Sequence, residues 1–299
     1  MRTNYPTEEL MQPGYLSCQG CGATIVMRHC LKALGSETIC VIPASCWSII
    51  AGNWPYSSLK IPVIHTAFET AGAAASGVRA ALDMKGKTGT KVLAFAGDGG
   101  TFDIGLQSLS GAVERNEDIV YVCYDNEAYM NTGIQRSSAT PEKAWTTTTP
   151  QSFPKVGPKK NIIQILCGHK IPYCATATVA WPEDLIAKVK KAAEIKGTTF
   201  IHALSPCPPG WKISSEKSIE IARLAVHTKV FPLYEVFNGE EYHINLEPKG
   251  LPVEDYLMTQ GRFSHLSKKD IQQIQERVDY EWKVLLQRSM MESFHMNMS

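Results

Sequence analysis

The stretch from Lys91 to Thr132 constrains the fold more than any other part of this chain, because it alternates apolar strands with a helical segment. Val92 to Ala96 is an unbroken apolar run before a glycine-rich turn, a pattern typical of a parallel strand buried on both faces. A helical segment near Asp103 to Arg115 separates this run from a second apolar strand, Ile119 to Tyr124. Parallel strands joined by a helix predict an α/β fold with a doubly wound, mostly parallel sheet.

Polar groups follow both strands at their carboxyl ends, where ligands collect in doubly wound sheets. Gly97, Gly99 and Gly100 leave room for a ligand to approach the backbone, and Asp98 among them offers a carboxylate. Asn126 follows the second strand and adds an amide oxygen. Such oxygens, together with ligand phosphates, suit Mg²⁺. The segment therefore predicts a diphosphate and divalent-metal site, with an ordinary tight turn as the alternative interpretation of Gly-Asp-Gly.

The rest of the chain alternates predicted helices and strands as far as a change of composition near residue 228. They are helices 23–34, 69–84, 161–168, 182–193 and 215–226, and strands 38–43, 62–65, 173–178 and 199–204. Beyond them, LYEVFNGEEYHINL predicts a hairpin with Asn-Gly at its turn, and residues 267–288 predict an amphipathic helix. We expect one domain over residues 1–228 and a C-terminal extension over residues 229–299 that serves subunit packing.

One long polar segment interrupts this alternation. Residues 129–160 contain QRSSATPEKAWTTTTP and no periodic apolar pattern. A structureless segment of this length within a compact domain is usually a functional loop or a contact with a partner. A low-complexity linker around the four consecutive threonines is the alternative.

Composition narrows the classes of function. The chain has 299 residues, 44% of them hydrophobic and 20% charged, with a formal net charge of +1. This near-neutral balance offers no general attraction for nucleic acid or for an acidic membrane surface. No apolar run approaches the length that spans a bilayer, and the N-terminus lacks the apolar region of a signal peptide. We expect a cytoplasmic protein.

The nine cysteines divide into two groups. Cysteines within apolar helix or strand patterns are expected to be small buried hydrophobes, and they are Cys30, Cys40, Cys123, Cys167 and Cys174. The other four lie in predicted loops beside glycine or proline, and they are Cys18, Cys21, Cys46 and Cys207. If their loops meet at one edge of the sheet, four thiolates suit a tetrahedral Zn²⁺ or a [4Fe–4S] cluster. A redox-active C-x-x-C at Cys18 and Cys21 is a further alternative.

The Gly-Asp-Gly turn with the later Asp-Asn resembles the fingerprint of thiamine diphosphate enzymes. A wider set of motifs is similar to the β subunits of pyruvate:ferredoxin oxidoreductases, a group within the 2-oxoacid:ferredoxin oxidoreductases. The motifs lie within about residues 15–215 and are SCQGCG, SCW, AFAGDGGTFDIGLQSLSGAVERN, CYDNEAYMNTGIQRSSATP and SPCPPGW. A thiamine site beside four thiolates favours an iron–sulfur cluster over zinc, because the thiamine-bound product of decarboxylation is a strong one-electron donor.

The resemblance implies roles for particular residues and places both cofactors in the domain over residues 1–228. Asp98, Asn126 and the main-chain carbonyl of Ala128 match the Mg²⁺ ligands, and the glycine turn matches the diphosphate site. Asn131 matches a residue near the reacting end of the cofactor and the substrate, and is the candidate catalytic residue of this chain. The ligands of the proximal [4Fe–4S] cluster match Cys18, Cys21, Cys46 and Cys207.

The resemblance also implies an enzyme that acts only with partner subunits. The expected reaction is oxidation of pyruvate to acetyl-CoA and CO₂, with electrons passed through the cluster to ferredoxin. An α subunit would supply the glutamate that binds the pyrimidine ring and much of the substrate pocket, since Glu69 here is better explained as a helix cap or interface residue. Further γ and ferredoxin-like δ subunits, separate or fused, would complete the assembly.

The substrate stays open at this point. A bulky Trp47 after the third candidate cysteine departs from the pattern of pyruvate-type β subunits and indicates that another small oxoacid is possible. Oxalate, split to CO₂ without CoA, is the second candidate, and a branched-chain 2-oxoacid is the third. A hypothesis from another class is a non-catalytic subunit that keeps the fold and binds zinc.

Overall fold

The computed structural model describes residues 6–53 and 55–296, and its centre is an eight-stranded sheet. The strand order is β2-β1-β3-β4-β6-β5-β7-β8. The first six strands in this order are parallel to their neighbours, and β7 and β8 run antiparallel at one edge. The predicted α/β class with a doubly wound, mostly parallel sheet is therefore confirmed.

The elements follow one another as alternating strands and helices. The strands are β1 (Thr38–Pro43), β2 (Val63–Thr66), β3 (Lys91–Gly97), β4 (Val120–Asp125), β5 (Tyr173–Thr178), β6 (Thr199–Leu204), β7 (Tyr234–Phe237) and β8 (Glu241–Ile244). The α-helices are α1 (Gly22–Leu34), α2 (Trp47–Ile50), α3 (Ala71–Met84), α4 (Leu106–Glu114), α5 (Ile162–Cys167), α6 (Pro182–Glu194), α7 (Pro208–Trp211), α8 (Ser218–His227), α9 (Val253–Leu257) and α10 (Lys268–Met296).

The central strands are apolar on both faces because helices cover both sides of the sheet. Every residue of β4, β5 and β6 is buried, as is every residue of β3 except its two ends. Burying one such Val, Ile or Phe side chain stabilises the fold by roughly 1.5–3 kcal/mol. The uninterrupted apolar runs predicted buried parallel strands correctly for this reason.

Four neighbouring strands end at the same edge of the sheet. In the order β1, β3, β4 and β6 they terminate at Pro43, Gly97, Asp125 and Leu204, and register pairs Gly97 with Tyr124 and Asp125 with Leu204. The loops that follow these four strands contain Cys46, Asp98, Asn126 and Cys207. The parallel topology thus brings together residues that are far apart in the sequence.

The start of the helix after β3 differs from its prediction. The predicted segment begins near Asp103, whereas α4 begins at Leu106 and follows a π-helical turn over Gly99–Asp103. A Cβ at Gly105 would lie 1.9 Å from the carbonyl oxygen of Gly100, so the glycine is required where this turn meets α4. The wider turn leaves the Gly99 and Gly100 backbone beside the end of β3.

The C-terminal segment completes the same sheet. The predicted hairpin is confirmed as β7 and β8, with Asn238 and Gly239 both at positive φ in the turn. Helix α10 buries Trp282 and Leu285 against the apolar cluster that also contains the side chains of β3 and β4. The division of the chain at residue 228 and a role of residues 229–299 in subunit packing stay predictions.

Within residues 6–53 and 55–296, no helix combines the length and the apolar character needed to cross a membrane.

Candidate functional site

The loop after β4 turns sharply so that its third carbonyl faces the end of β3. Glu127 adopts a left-handed conformation, with φ of 69°, and its amide donates to Asp125 Oδ1 at 3.0 Å. Trp211 Nε1 donates to the Asn126 carbonyl at 2.8 Å, and Thr140 Oγ1 donates to the Glu127 carbonyl at 2.7 Å. The first two carbonyls of the loop thus have donors within the chain, and the third, of Ala128, is directed at the Asn126 side chain.

Three oxygen-bearing groups converge at this point. The terminal amide of Asn126 lies 2.9 Å from Asp98 Oδ1 and 2.9 Å from the carbonyl oxygen of Ala128. With its oxygen toward both, the amide forms a set of three acceptors that a cation would stabilise. Adjacent ligands of an octahedral Mg²⁺ lie about 3.0 Å apart when each bond is about 2.1 Å, close to both of these distances. Rotated by 180°, the amide donates to both groups instead, so the same residues are satisfied in the absence of a cation.

Asp98 is buried, and the nearby charge of Lys159 does not offset the effect of burial on the pKa of its carboxyl. Burial raises the pKa of its carboxyl well above the usual value, and the nearby Asp125 raises it further. The hydroxyl of Ser137 donates to Asp98 Oδ2, which favours the ionised form and leaves Oδ1 directed at Asn126. A buried carboxylate next to a second carboxylate requires compensation. A divalent cation among Asp98, Asn126 and Ala128 supplies it, so these residues fit the predicted Mg²⁺ ligands.

The glycine turn is lined by two aromatic side chains. A Cβ on Gly99 would lie 2.0 Å from Cε1 of Tyr129, and a Cβ on Gly100 would lie 3.3 Å from the Phe68 ring. Tyr129 is fixed by a 2.6 Å hydrogen bond from its hydroxyl to Asp103 Oδ2. From the sequence, these glycines are expected only to let a ligand approach the backbone closely. The structure adds that Gly99 is required by the packing of Tyr129.

A buried network of charges supports the Asn126 loop from behind. Lys159 pairs with both Asp125 and Glu127, and His202 Nε2 lies 2.6 Å from Asp125 Oδ2. Burial alone would raise the pKa of Asp125, but the charge of Lys159 and the hydrogen bond with His202 hold it at about 2. The carboxylate therefore stays ionised and accepts the amide hydrogen of Glu127, which maintains the left-handed turn.

The C-terminal segment contributes a second cation to this network. Arg262 Nη2 lies 2.6 Å from Glu127 Oε2, and both side chains are almost fully buried. The guanidinium also stacks on the Trp211 ring, 3.9 Å from its centroid. Since Trp211 donates to the Asn126 carbonyl, Arg262 supports both the Glu127 side chain and the residue that fixes the metal loop.

Replacing Arg262 by methionine is expected to lower the free energy of unfolding by about 3 kcal/mol, because it leaves Glu127 buried with only one cation. Thermal unfolding of the complex measures the loss as a fall in midpoint of several degrees. The double variant Glu127→Gln with Arg262→Met is expected to recover part of it, since no uncompensated charge remains.

The matched control for this prediction is Arg223→Met. Arg223 is exposed and lies 6.0 Å from the Trp181 ring, so its removal is expected to change stability by at most about 0.5 kcal/mol. Equal effects of the Arg223 and Arg262 variants would show that the buried ion pair has no special importance. A double variant no more stable than Arg262→Met would show that the pair is not coupled.

The four predicted loop cysteines meet beside this site. Cys46 follows β1, Cys207 follows β6, and Cys18 and Cys21 lie in the loop before α1. The loop before α1 and the loop after β6 are in direct contact, because the Gly22 amide donates to the Pro206 carbonyl at 2.9 Å. A Cβ on Gly22 would lie 2.7 Å from the Pro206 nitrogen, so only glycine permits this approach.

Electrostatics also show that the four thiols are neighbours. Burial raises the pKa of Cys46 and of Cys207 to about 12; Cys21 and Cys18 raise it further for Cys46, and Cys21, Cys46 and Cys18 do so for Cys207. Burial likewise raises the pKa of Cys21, with Cys18 adding to the effect. Thiolates here would repel one another, so their ionisation requires positive charge at the centre. A bound metal or iron–sulfur cluster supplies that charge, and the residues fit such a group.

Among the described residues, no three His, Cys, Asp or Glu side chains form a ready-made site for a single ion. The choice between zinc and an iron–sulfur cluster at the four thiols stays a prediction. A single zinc ion, with Zn–S bonds of about 2.3 Å, needs its thiolates within about 4 Å of one another. The cysteine ligands of a four-iron cluster bind separate iron atoms and lie farther apart.

Tyr124 is near residues of both the thiol group and the candidate magnesium site. Its phenol is buried, and its pKa is raised first by burial and then by Cys46, Asp98 and Cys21 among other groups. Its hydroxyl would be 3.2 Å from a Cβ on Gly97, and its ring stacks on Phe95 at 5.0 Å. Groups of both sites influence this one buried phenol, so the two sites are neighbours.

Trp47 lies in the core, and its position does not decide between pyruvate and another small oxoacid. Its side chain is fully buried and packs edge-on against Phe95, with ring centroids 5.6 Å apart. The ring therefore belongs to the core beneath the sheet edge and does not line a substrate pocket.

Two other predicted residues lie toward the surface. Asn131 is exposed in the turn held by main-chain hydrogen bonds between Tyr129 and Gln135, so its catalytic role stays a prediction. Glu69 is exposed just before α3, and its carbonyl accepts a hydrogen bond from Ser108 Oγ at 2.7 Å. This placement is consistent with an interface or helix-start residue.

The long polar segment over residues 129–160 is an ordered loop that packs over the sheet edge. Ser137 and Thr140 are buried in it and bond to Asp98 and to the Glu127 carbonyl, respectively. Lys159, at its end, reaches Asp125. Sequence reasoning predicted a functional loop but missed these three residues, as well as Arg262 and Trp211, because no local pattern marks them.

Comparisons with known proteins agree with this geometry. Residues 45–203 match the family model for the thiamine pyrophosphate enzyme, C-terminal TPP binding domain. A solved 2-oxoglutarate:ferredoxin oxidoreductase from Magnetococcus marinus, with 2-oxoglutarate, coenzyme A and succinyl-CoA bound, shares the fold. Its TM-score is 0.59 at 22% identity, with 75% of this chain and 81% of that chain covered.

Closer relatives are single subunits of similar length. The ketoisovalerate oxidoreductase subunit VorB of Pyrococcus furiosus is 53% identical over 297 residues, which cover 95% of this chain and 94% of that subunit. The pyruvate synthase subunit PorB of Methanocaldococcus jannaschii is 50% identical over 292 residues, with 94% and 98% covered. The chain thus belongs to the thiamine pyrophosphate enzymes, among the β subunits of the 2-oxoacid:ferredoxin oxidoreductases.

Proposed function

We propose that this chain binds thiamine diphosphate, Mg²⁺ and one [4Fe–4S] cluster in an enzyme that oxidises a small 2-oxoacid. The observation that carries the proposal is the meeting of two donor sets at one sheet edge. Oxygens of Asp98, Asn126 and Ala128 converge after β3 and β4, and four thiols gather beside the loops after β1 and β6. Tyr124 is influenced by both Cys46 and Asp98, which supports electron transfer between neighbouring sites.

The residues of this chain hold and orient the reacting groups. Asp98, Asn126 and the Ala128 carbonyl would hold the metal that binds the diphosphate, and Ser137 fixes the second oxygen of Asp98. Thiamine diphosphate, when bound, supplies the electron sink for decarboxylation of a 2-oxoacid. Cys18, Cys21, Cys46 and Cys207 would hold the cluster as the first electron acceptor. The ion pairs of Glu127 with Lys159 and Arg262 hold the loop that contains Asn126 in place.

Partner subunits complete the site in this proposal. The acid that activates the pyrimidine ring would come from an α subunit, since Glu69 is exposed and lies outside the group formed by Asp98 and Asn126. Asn131 is exposed beside the metal loop, where it can reach a substrate enclosed by the partner. Further γ and ferredoxin-like δ subunits would pass electrons to ferredoxin, and CoA would accept the acyl group.

Pyruvate is the proposed substrate, and a branched-chain 2-oxoacid is the second candidate. Pyruvate synthase subunits are 49–50% identical to this chain in several archaea, which supports the first. Ketoisovalerate oxidoreductase subunits at 52–53% identity support the second. A substrate pocket formed largely by another subunit explains why similar β subunits serve both reactions.

A substrate panel on the native complex tests the function. Pyruvate, ketoisovalerate and oxalate are each supplied with and without CoA, and the reduction of ferredoxin is followed. We expect the highest kcat/KM with pyruvate and an absolute need for CoA. Faster turnover of ketoisovalerate would identify that acid as the substrate. CoA-independent turnover of oxalate would identify oxalate as the substrate. No reduction with any acid would contradict the proposed function.

The visible spectrum separates the proposal from a zinc-bound, non-catalytic subunit. An iron–sulfur complex purified without oxygen should show a broad shoulder near roughly 400 nm that bleaches on reduction. A colourless complex that contains zinc and no thiamine would establish the alternative.

A further inference from the structure

Two cysteines far from the candidate active site are in contact. Cys167 is the last residue of α5, and Cys174 is the second residue of β5. Their Sγ atoms lie 3.9 Å apart, and both side chains are buried. Both were predicted to be simple buried hydrophobes, and the burial agrees with that expectation. Their mutual contact adds chemistry that a buried hydrophobe does not have.

Polar groups converge on one sulfur of the pair. The hydroxyl of Tyr242 donates to Cys167 Sγ at 3.5 Å, and Arg288 Nη1 donates to the Tyr242 hydroxyl oxygen at 3.0 Å. The Arg288 guanidinium also lies 5.4 Å from the centre of the Tyr242 ring. A cation thus reinforces the hydrogen bond that Tyr242 directs at Cys167.

The two thiols differ in acidity as a result. The hydrogen bond between the two thiols, followed by that from Tyr242 and the charge of Arg288, lowers the pKa of Cys167 to about 7 although burial opposes it. The same hydrogen bond raises the pKa of Cys174 well above its usual value. Cys167 is therefore the nucleophilic sulfur, and Cys174 is the proton-bearing partner.

A small molecule can approach this pair from one side. A cavity of about 970 Å³ extends between α10 and the segment over residues 155–164. Tyr242, Arg288 and Gln164 line its wall, and the Tyr242 hydroxyl touches Cys167. The two thiols are not among the lining residues, and Tyr242 stands between Cys167 and the cavity.

We propose that Cys167 and Cys174 form a peroxide-reactive dithiol that closes to an intrachain disulfide. The Cys167 thiolate attacks the O–O bond of hydrogen peroxide, which gives a sulfenic acid and, with one proton, water. Cys174 then attacks that sulfur, its proton leaves with the hydroxyl as a second water, and the S–S bond forms. Two thiols and one peroxide become one disulfide and two waters, so the protein is oxidised by two electrons and the peroxide is reduced by two.

A second buried pair in the same chain serves as a matched control. Cys30 and Cys40 are both fully buried and interact electrostatically with each other. Burial raises the pKa of both thiols, and among the described residues no hydrogen-bond donor favours either thiolate. They should remain reduced under conditions that oxidise Cys167 and Cys174.

Peptide mapping of the intact complex tests the proposal. The complex is treated with hydrogen peroxide, quenched in acid, alkylated and digested with trypsin. Residues 161–170 and residues 171–188 are separate tryptic peptides with one cysteine each, so the disulfide joins them into one species. We expect this species in most molecules and no cross-link of Cys30 or Cys40. Absence of the joined peptide, or its appearance only together with Cys30 and Cys40 cross-links, would overturn the proposal.

Variants identify the nucleophile. Cys174→Ser should leave a sulfenic acid on the 161–170 peptide, which a 1,3-dione reagent labels, and Cys167→Ser should abolish labelling of both peptides. Tyr242→Phe should slow the reaction at pH 7 by about three- to fivefold, because the thiolate loses a donor. Dione labelling of the 171–188 peptide in Cys167→Ser would overturn the assignment of Cys167. Wild-type mapping stands independently if a variant fails to fold.

Discussion

Replacement of Asp98 by alanine is expected to remove most thiamine diphosphate and Mg²⁺ from the assembled complex and to weaken their binding by at least about 100-fold. Asp98 is the charged member of the three oxygen-bearing groups that meet at the end of β3. Loss of residues that only orient metal ligands already costs about 10- to 100-fold in affinity, so loss of a ligand costs at least the upper value. Asn126 and Ala128 would remain, but neither carries charge to hold a divalent ion.

Cofactor content per complex is the measurement, with thiamine diphosphate and magnesium determined separately. Asp98→Asn keeps the size of the side chain and removes only its charge, so a similar loss in that variant assigns the effect to charge rather than packing. Asp118→Ala is the control, since Asp118 pairs with Lys196 at the surface before the neighbouring strand β4. An Asp98→Ala complex that retains both components at wild-type levels would contradict the assignment of this site.

The sequence predicts those residues of the candidate site that directly follow the ends of strands. Asp98 and Asn126 follow the apolar runs of β3 and β4, and Cys46 and Cys207 follow β1 and β6 at short distance. Once the strands are recognised as parallel, their carboxyl ends must share an edge. The placement of these residues at one edge needs no knowledge of side-chain packing.

The support of the site could not be predicted because it depends on contacts between distant segments. Ser137 reaches Asp98 across 39 positions in the sequence, and Arg262 reaches Glu127 across 135 positions. No periodicity or spacing marks such pairs. Trp47 shows a related limit. Its size is evident from the sequence, but the sequence does not show that its side chain points into the core, where it packs against Phe95 of another strand.

Substitution of Cys46 is expected to abolish electron transfer while leaving thiamine diphosphate bound. Cys46 interacts with the other three loop thiols and also lies near Asp98, so it is the thiol that connects the two donor sets. Without its sulfur one iron of the cluster has no protein ligand, and the complex should lose about four iron atoms per β chain. Ferredoxin reduction should fall by at least about 100-fold in Cys46→Ala, and Cys46→Ser should retain at most a fraction of the iron.

Cys40→Ala is the matched control for this prediction. Cys40 lies in β1 six positions earlier, is fully buried among apolar side chains, and contributes packing alone. Its replacement should leave iron, thiamine and turnover at wild-type levels apart from a small loss of stability. Iron relative to thiamine, measured on complexes shown to be assembled, separates loss of the cluster from loss of the subunit. If Cys46→Ala keeps its full iron content and reduces ferredoxin normally, the loop thiols do not hold the electron acceptor, and the site reduces to the oxygen ligands at Asp98 and Asn126.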